Sequence, residues 1–396
     1  MTALLATYRG VTRALGPFLP LWLGWRARRG KEDPARLHER QGRHHTRRPD
    51  GPLVWLHGAS LGESRVIGEL VSIIRDTHPE TNVLVTTQTR SGAGHWAARD
   101  DVIHAYAPLD TPANARRFLR HWRPDLALFA ESEIWPNLLR ELRVRGVPAA
   151  LVNARMNHAS LARWARTPAT LREVFASFET VLAADSGTSR VLSDLLGITV
   201  PCPGNLKSAA SPRVDADAAR ALRESFGTRP VICLASLHPE EAGLVEALDG
   251  HARIVVPRHP ERFPDIGAPR RSRGELPVAG TSAYLMDTFG EMGTAMAASD
   301  MVVMGGSFAP GLKGHNPLEA LALRKPVVSG LHVDSFADIY ADIWRITLGP
   351  AEMSTIPQAV ANAAWSDELA TLHAERSAVR GRVAEALRPL LDKALS

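Results

Sequence analysis

The residue best placed for chemistry is Glu63, a carboxylate at the junction of two local patterns. An apolar run over 53–56 is typical of a buried strand, a turn of small residues follows, and apolar residues then recur at helical spacing from Val66 to Ile74. Open α/β sheets place ligands beyond the carboxyl ends of their strands, and a carboxylate there can act as a general acid or base. The spacing of Ser60 and Glu63 is also that of a helix capping box, so spacing alone leaves both roles open.

Two more carboxylates, Glu131 and Glu133, follow an apolar run over 126–130 and precede Trp135 and Pro136. Acidic residues in such positions are often solvated or cap a helix. Because these two stand beside an aromatic residue at a second strand end, a functional site is an equally good interpretation.

Basic residues follow a strand pattern in the second half of the chain, where Arg258 and His259 come directly after the apolar run 254–257. A guanidinium group can bind a phosphate through two parallel hydrogen bonds. The pair therefore predicts positive charge at a ligand site, and solvated loop charges are the alternative.

A glycine-rich strand end followed by a helix start forms the sharpest motif. The run 301–304 ends in Gly305-Gly-Ser307, and Gly314-His-Asn-Pro-Leu-Glu319 follows after a short loop. Asn316 suits the N-cap position and Glu319 the third helical position, which predicts a helix starting at Asn316. Free N–H groups at such a start favour an anion, so we expect a phosphate here, close to His315. The alternative is a capping box without a ligand.

Alternating strands and helices must position these residues. Apolar runs predict strands at 53–56, 83–87, 102–106, 126–130, 149–153 and 181–184, and then at 231–235, 254–257, 283–286, 301–304 and 327–329. Such alternation is typical of parallel sheets made of βαβ units. A proline-rich stretch at 201–217 predicts a connection between two α/β domains, and a cleft between domains is a favoured ligand site. We predict a basic segment at 1–48, domains at 49–205 and 206–366, and a helical tail at 367–396.

Positive charge is concentrated at the N-terminus. Residues 1–48 hold eleven Lys or Arg against three acidic residues, whereas the whole chain has a net charge of only +5. The longest uncharged run there, 14–25, is shorter than the roughly 20 apolar residues that a membrane-spanning helix needs. Phe18, Trp22 and Trp25, followed by four basic residues, instead predict a segment lying at the surface of an anionic membrane. The alternative is a helix docked on the protein itself, with a solvated basic face.

Other classes of function have little support in the sequence. We recognise no nucleic-acid-binding module, Walker loop, nucleophile elbow or histidine pair at zinc spacing. The chain has two cysteines, Cys202 and Cys233, without metal-ligand spacing, which indicates a reducing compartment.

The motifs together resemble those of the 3-deoxy-D-manno-octulosonic acid (Kdo) transferases, which add Kdo to the lipid A precursor of Gram-negative bacteria. The resemblance extends over nearly the whole chain. Its motifs are His57-Gly-Ala-Ser-Leu-Gly-Glu63, Val85-Thr-Thr-Gln-Thr-Arg-Ser-Gly92, Arg123-Pro-Asp125, Glu131-Ser-Glu-Ile-Trp-Pro-Asn137, Val152-Asn-Ala-Arg155, Gly204-Asn-Leu-Lys207, Pro257-Arg-His-Pro-Glu-Arg-Phe263, Asp287-Thr-Phe-Gly-Glu291, Gly305-Gly-Ser307 and Gly314-His-Asn-Pro-Leu-Glu319.

This resemblance implies a GT-B glycosyltransferase, with two Rossmann-like domains and an interdomain cleft, that uses no metal or other cofactor. It implies CMP-Kdo as donor, a lipid A precursor (lipid IVA) as acceptor, inversion at the anomeric carbon, and a place on the cytoplasmic face of the bacterial inner membrane. By motif, Glu63 would be the general base, and Ser60, Glu131 and Glu133 would lie on the acceptor side. The implied donor-binding residues are Lys207, Ser236, Arg258, His259, Gly305, Gly306, Ser307, His315, Asn316 and Glu319.

Within this donor set, Lys207, Arg258 and the backbone amides at Ser307 and Asn316 would face the phosphate, and Glu319 would reach the ribose hydroxyls. Two motifs depart from the family, and in one of them Pro310-Gly-Leu-Lys313 replaces an Arg-Gly-Gly-type approach to the His-Asn motif. The family tends to have Ser-Thr-His-Glu-Gly-Glu where this chain has Ser236-Leu-His-Pro-Glu-Glu241, which removes a hydroxyl and stiffens the turn. Two alternatives remain open: a related enzyme acting on a UDP-sugar, such as a transferase or epimerase, and a non-catalytic binder of sugar or lipid at a membrane.

Overall fold

The computed structural model describes residues 1–97, 99–156, 158–208, 212–278 and 280–395. The chain divides into two compact units. The first domain comprises Met1–Ala209 and Ala378–Ser396, and the second comprises Ala210–Ser377. The chain thus leaves the first domain within the connection predicted at 201–217, of which 209–211 lie outside the described residues.

A six-stranded parallel sheet forms the centre of the first domain. Its strands are β1 (Leu53–His57), β2 (Asn82–Thr87), β3 (Ile103–Tyr106), β4 (Leu126–Ala130), β5 (Ala149–Ala154) and β6 (Thr180–Ala183). They lie in the order β3-β2-β1-β4-β5-β6. In the register of the sheet, Trp55 of β1 pairs with Leu84 of β2 and Ala127 of β4.

Helices cover both faces of this sheet. In chain order they are α1 (Ala3–Leu15), α2 (Leu19–Arg28), α3 (Leu37–Arg40), α4 (Leu61–Thr77), α5 (Arg90–Trp96), α6 (Pro112–Trp122), α7 (Pro136–Val144), α8 (His158–Ala165), α9 (Pro168–Phe175) and α10 (Ser186–Leu196). Alternate residues of each strand enter different apolar clusters: Trp55 and Phe129 lie in one, Leu56 and Leu128 in the other. Because both faces are buried, the strands appear in the sequence as continuous apolar runs.

The second domain has a five-stranded parallel sheet in the order β11-β10-β7-β8-β9. Its strands are β7 (Val231–Leu237), β8 (Ala252–Pro257), β9 (Ala283–Leu285), β10 (Met301–Met304) and β11 (Val327–Ser329). Its helices are α11 (Ala216–Ser225), α12 (Gly243–Ala247), α13 (Met292–Ala297), α14 (Leu318–Ala322), α15 (Ala337–Ile346), α16 (Ile356–Asn362) and α17 (Asp367–Ser377). All eleven strands predicted from the sequence are therefore present, with ends shifted by at most two residues.

The last helix, α18 (Val379–Leu395), belongs to the first domain. Its buried residues Val383, Leu387 and Leu391 join the apolar cluster that contains Leu56 and Leu128 of the sheet. The tail predicted at 367–396 is thus a pair of helices divided between the domains, with α17 in the second and α18 in the first.

The N-terminal helix α1 docks on the first domain through polar contacts. The Tyr8 hydroxyl donates to Asp110 at 2.9 Å, and Asp110 also accepts from the backbone N–H groups of Asn137 and Leu138 at the start of α7. Burial raises the pKa of Asp110, and these hydrogen bonds oppose that shift. The contacts satisfy two amides that would otherwise have no partner at the start of a helix, and they fix α1 to the sheet domain.

Several basic residues of the N-terminal segment are paired with acidic residues of the same segment. Arg40 is 4% exposed and lies 3.3 Å from Glu32, which also pairs with Arg26 at 2.8 Å. Arg36 pairs with Glu39 at 2.8 Å. The alternative of a docked helix with a solvated basic face is therefore wrong at Arg40, because the buried carboxylate of Glu32 neutralises it.

Large apolar side chains of the same segment nevertheless face solvent. The exposed residues are Leu4, Val11, Leu15, Phe18, Leu21, Trp22 and Trp25. The guanidinium of Arg29 lies 4.1 Å from the ring centre of Trp25, and Arg28 and Lys31 are exposed beside it. Among the described residues, no helix has the length and apolar character needed to cross a bilayer.

Candidate functional site

Glu63 lies in the first turn of α4, and Ser60 is the N-cap residue of that helix. The Ser60 backbone N–H donates to Oε2 of Glu63 at 2.8 Å, and the Ser60 hydroxyl donates to the same oxygen. The Gly62 N–H donates to the Ser60 hydroxyl at 3.2 Å. The capping box predicted from the spacing is confirmed, and it holds the half-buried carboxylate of Glu63 beyond the end of β1.

Gly58 lets the end of β1 approach the start of α4. A Cβ atom at this position would lie 2.9 Å from Cβ of Glu63 and 3.0 Å from Cγ1 of Ile67. No larger residue fits there without moving the helix, so the position of Glu63 depends on a glycine at 58.

Glu133 is held by a buried histidine at the end of β1. Nε2 of His57 lies 3.1 Å from Oε2 of Glu133, and Nδ1 lies 2.8 Å from the hydroxyl of Thr86. The indole N–H of Trp135 donates to the same Glu133 oxygen at 2.8 Å. Burial raises the pKa of Glu133, but hydrogen bonds and charge from His57 and the bond from Trp135 outweigh it, so the pKa is lowered. Glu133 is therefore a carboxylate fixed in place by His57 and Trp135.

Glu131 is paired with Lys207, whose Nζ lies 2.5 Å from Oε1 of the carboxylate. Burial raises the pKa of Glu131, Lys207 lowers it, and the nearby charge of Glu63 raises it further. Two features fix the pair: Glu131 has a left-handed backbone with φ of 57°, and the Leu206 N–H donates to Oδ1 of Asn153 at 2.7 Å, next to Lys207. The resemblance placed Lys207 at the donor phosphate, whereas in the structure its ammonium group contacts Glu131.

The second domain brings three histidines and an arginine together beyond the carboxyl ends of β7, β8 and β10. Nε2 of His238 lies 3.0 Å from Nε2 of His315, and the two rings are stacked with their centres 5.2 Å apart. The ring of His259 meets His238 edge-on at 5.8 Å. Burial, followed by the charge of Arg258 and then by His238 and His259, lowers the pKa of His315 to about 4. Burial also lowers the pKa of His238, and the guanidinium of Arg258 is exposed beside these rings.

The strand ends in this domain approach each other through Gly305. A Cβ at Gly305 would lie 2.7 Å from the carbonyl oxygen of Ser236. Ser236 itself is buried and has a backbone φ of 56°. The next residue, Gly306, has a φ of 72°, and a Cβ there would lie 2.5 Å from Cδ2 of His315. The glycines predicted for phosphate binding therefore serve the packing of the turn against Ser236 and His315.

The backbone amides of this glycine turn already bind a carboxylate. The N–H groups of Gly306, Ser307 and Phe308 donate to Glu241 at 2.7, 2.9 and 2.9 Å. The expectation that the Ser307 amide faces the donor phosphate is corrected by this finding, because Glu241 accepts its hydrogen bond.

The helix predicted from Asn316 begins two residues later. α14 starts at Leu318 and has five residues, without a side-chain cap at Pro317. Oδ1 of Asn316 accepts from the Leu318 N–H at 3.2 Å, a local turn that holds Asn316 outside the helix. Asn316 thus accepts a backbone N–H at the start of the short helix, as predicted for a capping residue, and Glu319 lies in the first turn.

The predicted residues thus form two clusters, one in each domain. The first contains Ser60, Glu63, Glu131 and Glu133, together with Lys207. The second contains Ser236, Arg258, His259, Gly305, Gly306, Ser307 and His315, with Asn316 and Glu319 following in the chain. His57 and Glu241 belong to motifs of the family resemblance but were not predicted as site residues; each lies at or just after the end of a buried strand. Among the described residues, no group of three or more His, Cys, Asp or Glu is arranged to hold a metal ion.

Two α/β domains with parallel sheets define the GT-B class, and solved structures support this fold. The UDP-GlcNAc 2-epimerase of Neisseria meningitidis is 13% identical, with 86% of this chain and 100% of that chain covered and a TM-score of 0.55. A glycosyltransferase of Rickettsia africae ESF-5 is 13% identical, with 87% and 98% covered and a TM-score of 0.50. At this identity the likeness concerns the fold alone.

Closer relatives define the family. The 3-deoxy-D-manno-octulosonic acid transferase of Bordetella pertussis is 35% identical, over 94% of this chain and 92% of its own. That of Haemophilus influenzae is 31% identical, over 72% of each chain. The family model described as 3-deoxy-D-manno-octulosonic-acid transferase (kdotransferase) matches residues 35–210. This chain belongs to the 3-deoxy-D-manno-octulosonic acid transferase family and is a glycosyltransferase.

Proposed function

We propose that the chain transfers Kdo from CMP-Kdo to a hydroxyl group of a lipid A precursor (lipid IVA), with inversion and without a metal ion. The observation that carries the proposal is the similarity to a Kdo transferase over 94% of this chain. In this chain, Glu63 and Arg258 each lie just beyond the end of a strand. The two clusters supply the groups that such a transfer needs, a carboxylate for the acceptor hydroxyl and positive charge for a phosphate.

Glu63 is the general base in this proposal. The hydrogen bonds from Ser60 involve Oε2 of Glu63, so we assign proton transfer to Oε1. As the acceptor oxygen bonds to the anomeric carbon, its proton passes to Glu63 and the bond from that carbon to the phosphate oxygen breaks. Glu131 and Glu133 follow the neighbouring strand β4. Lys207 holds Glu131 in place, and His57 holds Glu133.

The donor phosphate is bound in the second domain by the guanidinium of Arg258, beside His259 and His315. An arginine recognises phosphate oxygens in two parallel hydrogen bonds, and its charge stabilises the leaving CMP. Asn316 and Glu319 bind the cytidine part, with Glu319 at the ribose hydroxyls. The contact between Lys207 and Glu131 supports an acceptor-side role for Lys207 rather than the phosphate contact implied by the resemblance.

The enzyme works at the cytoplasmic face of the inner membrane, bound through its N-terminal helices. Trp22 and Trp25 are 43% and 47% exposed, next to the exposed Arg28, Arg29 and Lys31. Apolar rings insert at the headgroup boundary, and each basic residue near an anionic surface adds about 1 kcal/mol.

Membrane binding is tested with vesicles containing phosphatidylglycerol. We expect Trp22→Ser combined with Trp25→Ser to lower the bound fraction in a flotation assay without changing the far-UV circular dichroism. The matched control is Val144→Ser, which removes a side chain that is 65% exposed at the end of α7. Equal binding of the double variant and the wild type would contradict the assignment of these helices.

The reaction is tested by incubating the protein with CMP-Kdo and a tetraacylated lipid A precursor and measuring the product mass. We expect a mass increase of one or more Kdo units and release of CMP. Turnover of UDP-sugars without turnover of CMP-Kdo would replace the proposed donor. Binding of the lipid without turnover of any donor would indicate a non-catalytic protein.

A further inference from the structure

A single carboxylate organises the end of the second sheet. Glu241 is completely buried, in a short turn, Pro239–Glu241, that follows β7. Its Oε2 accepts from the N–H groups of Gly306 at 2.7 Å and His238 at 3.1 Å. Its Oε1 accepts from those of Ser307 and Phe308, both at 2.9 Å.

Four converging backbone N–H groups form an anion site of the kind that elsewhere binds phosphate. In this chain the anion is part of the protein. Hydrogen bonds from N–H groups to an ionised carboxylate are stronger than neutral ones, and those from Gly306 and Ser307 are buried. A ligand phosphate could use these amides only by displacing Glu241.

The turns that Glu241 joins carry the histidine pair. The His238 N–H bonds directly to Glu241, and the Gly306 backbone packs against the ring of His315. The Gly314 N–H donates to the Gly306 carbonyl at 2.8 Å, which fixes the residue preceding His315. The distance of 3.0 Å between the Nε2 atoms of His238 and His315 therefore depends on bonds that converge on Glu241.

We propose that Glu241 is a positioning residue for donor binding. It is an internal anion that occupies the amide site, and it holds His238 and His315 in place. The donor phosphate is then recognised by side chains, Arg258 foremost, and not by the amides of Gly306, Ser307 and Phe308. The inference rests on the proposed function, because it assigns the donor phosphate to this cluster.

The test compares Glu241→Ala with Glu240→Ala, which removes an exposed carboxylate one residue earlier. KM is measured separately for CMP-Kdo and for the lipid acceptor, with and without added formate. We expect Glu241→Ala to raise the donor KM by about tenfold or more while the acceptor KM stays unchanged. Formate fits the vacated site and accepts hydrogen bonds from the same N–H groups. It should therefore lower the donor KM of Glu241→Ala toward the wild-type value and raise its melting temperature, without affecting the wild type or Glu240→Ala.

Several outcomes would overturn the proposal. An unchanged donor KM in Glu241→Ala would show that the carboxylate does not position the site. A lower donor KM would show that the donor phosphate binds to the backbone N–H groups that Glu241 had occupied. Formate that restores the melting temperature but not the donor KM would leave Glu241 with a purely structural role. If the alanine variant does not fold, Glu241→Gln keeps the shape but sets an amide NH₂ against N–H donors, and the same change in donor KM is expected.

The inference and the proposed function fail in different ways. If wild-type protein does not turn over CMP-Kdo, the proposed function is wrong, whatever the variants do. If the wild type is active and Glu241→Ala has the same kinetic constants as the wild type, only the proposed role of Glu241 is wrong.

Discussion

Replacing Gly58 with alanine tests whether the close approach of β1 and α4 positions Glu63. The new Cβ would lie 2.9 Å from Cβ of Glu63, and ordinary contact begins near 3.4 Å, so Glu63 or the strand end must move by about 0.5 Å. Overpacking of this kind costs about 1–3 kcal/mol of stability. Misplacement of a catalytic group by up to about 1 Å can lower the rate by about a hundredfold. We therefore expect Gly58→Ala to lose stability and to reduce kcat by about ten- to a hundredfold.

Gly68 provides the control, because it lies in the same helix and a Cβ there would meet no atom within 4 Å. Gly68→Ala should stabilise α4 by about 0.5–1 kcal/mol and leave kcat unchanged. The double variant separates the two effects, since it recovers part of the lost stability but keeps the displaced carboxylate. Stability is measured by urea unfolding, and kcat by CMP release at saturating donor and acceptor.

Two results would refute this reasoning. Wild-type kcat in Gly58→Ala would show that Glu63 tolerates the displacement or is not the base. Recovery of kcat in the double variant would show that the loss in Gly58→Ala came from instability and not from the position of Glu63.

Three further predictions concern charge. Glu63→Ala should lower kcat by about 10²–10⁴-fold while CMP binding by calorimetry is unchanged; an unchanged kcat would remove Glu63 from the mechanism. Because His57 and Trp135 lower the folded-state pKa of Glu133, this residue contributes stability above its unfolded pKa of about 4.3, and the contribution is lost as the pH falls through the folded value. The stability difference between wild type and Glu133→Gln in urea should therefore shrink below about pH 4, and a constant difference would contradict the assignment. His315, with a pKa of about 4 in the free protein, should take up a proton when a phosphate binds beside it; binding heats of CMP that do not depend on the ionisation enthalpy of the buffer would disprove this.

The scaffold was predictable because its strands are buried on both faces. The run at 126–130 contains only apolar residues, coincides with β4 and is flanked by helical patterns. The capping box of Ser60 and Glu63 was also predictable, because both partners are three residues apart and local spacing alone defines them.

Contacts between distant residues were not predictable in this way. Glu241 binds amides about 65 residues away, and Lys207 pairs with Glu131, which follows the distant strand β4. The sequence pattern around each of these residues does not indicate which distant residue it will contact. For the same reason the free amides predicted at Ser307 are occupied, and the basic N-terminal segment contains the buried Arg40.

Because α18 is the last helix of the chain but belongs to the first domain, that domain can be completed only at the end of synthesis. Leu387 and its apolar neighbours in α18 cover part of one face of the first sheet, beside α4, yet they leave the ribosome only after the whole second domain has been synthesised. At about 5–20 residues per second, this part of the sheet face waits roughly 10–30 s for its cover. The nascent first domain therefore presents an apolar surface to chaperones and proteases during this interval, and a chain ending before 378 would leave that surface exposed permanently.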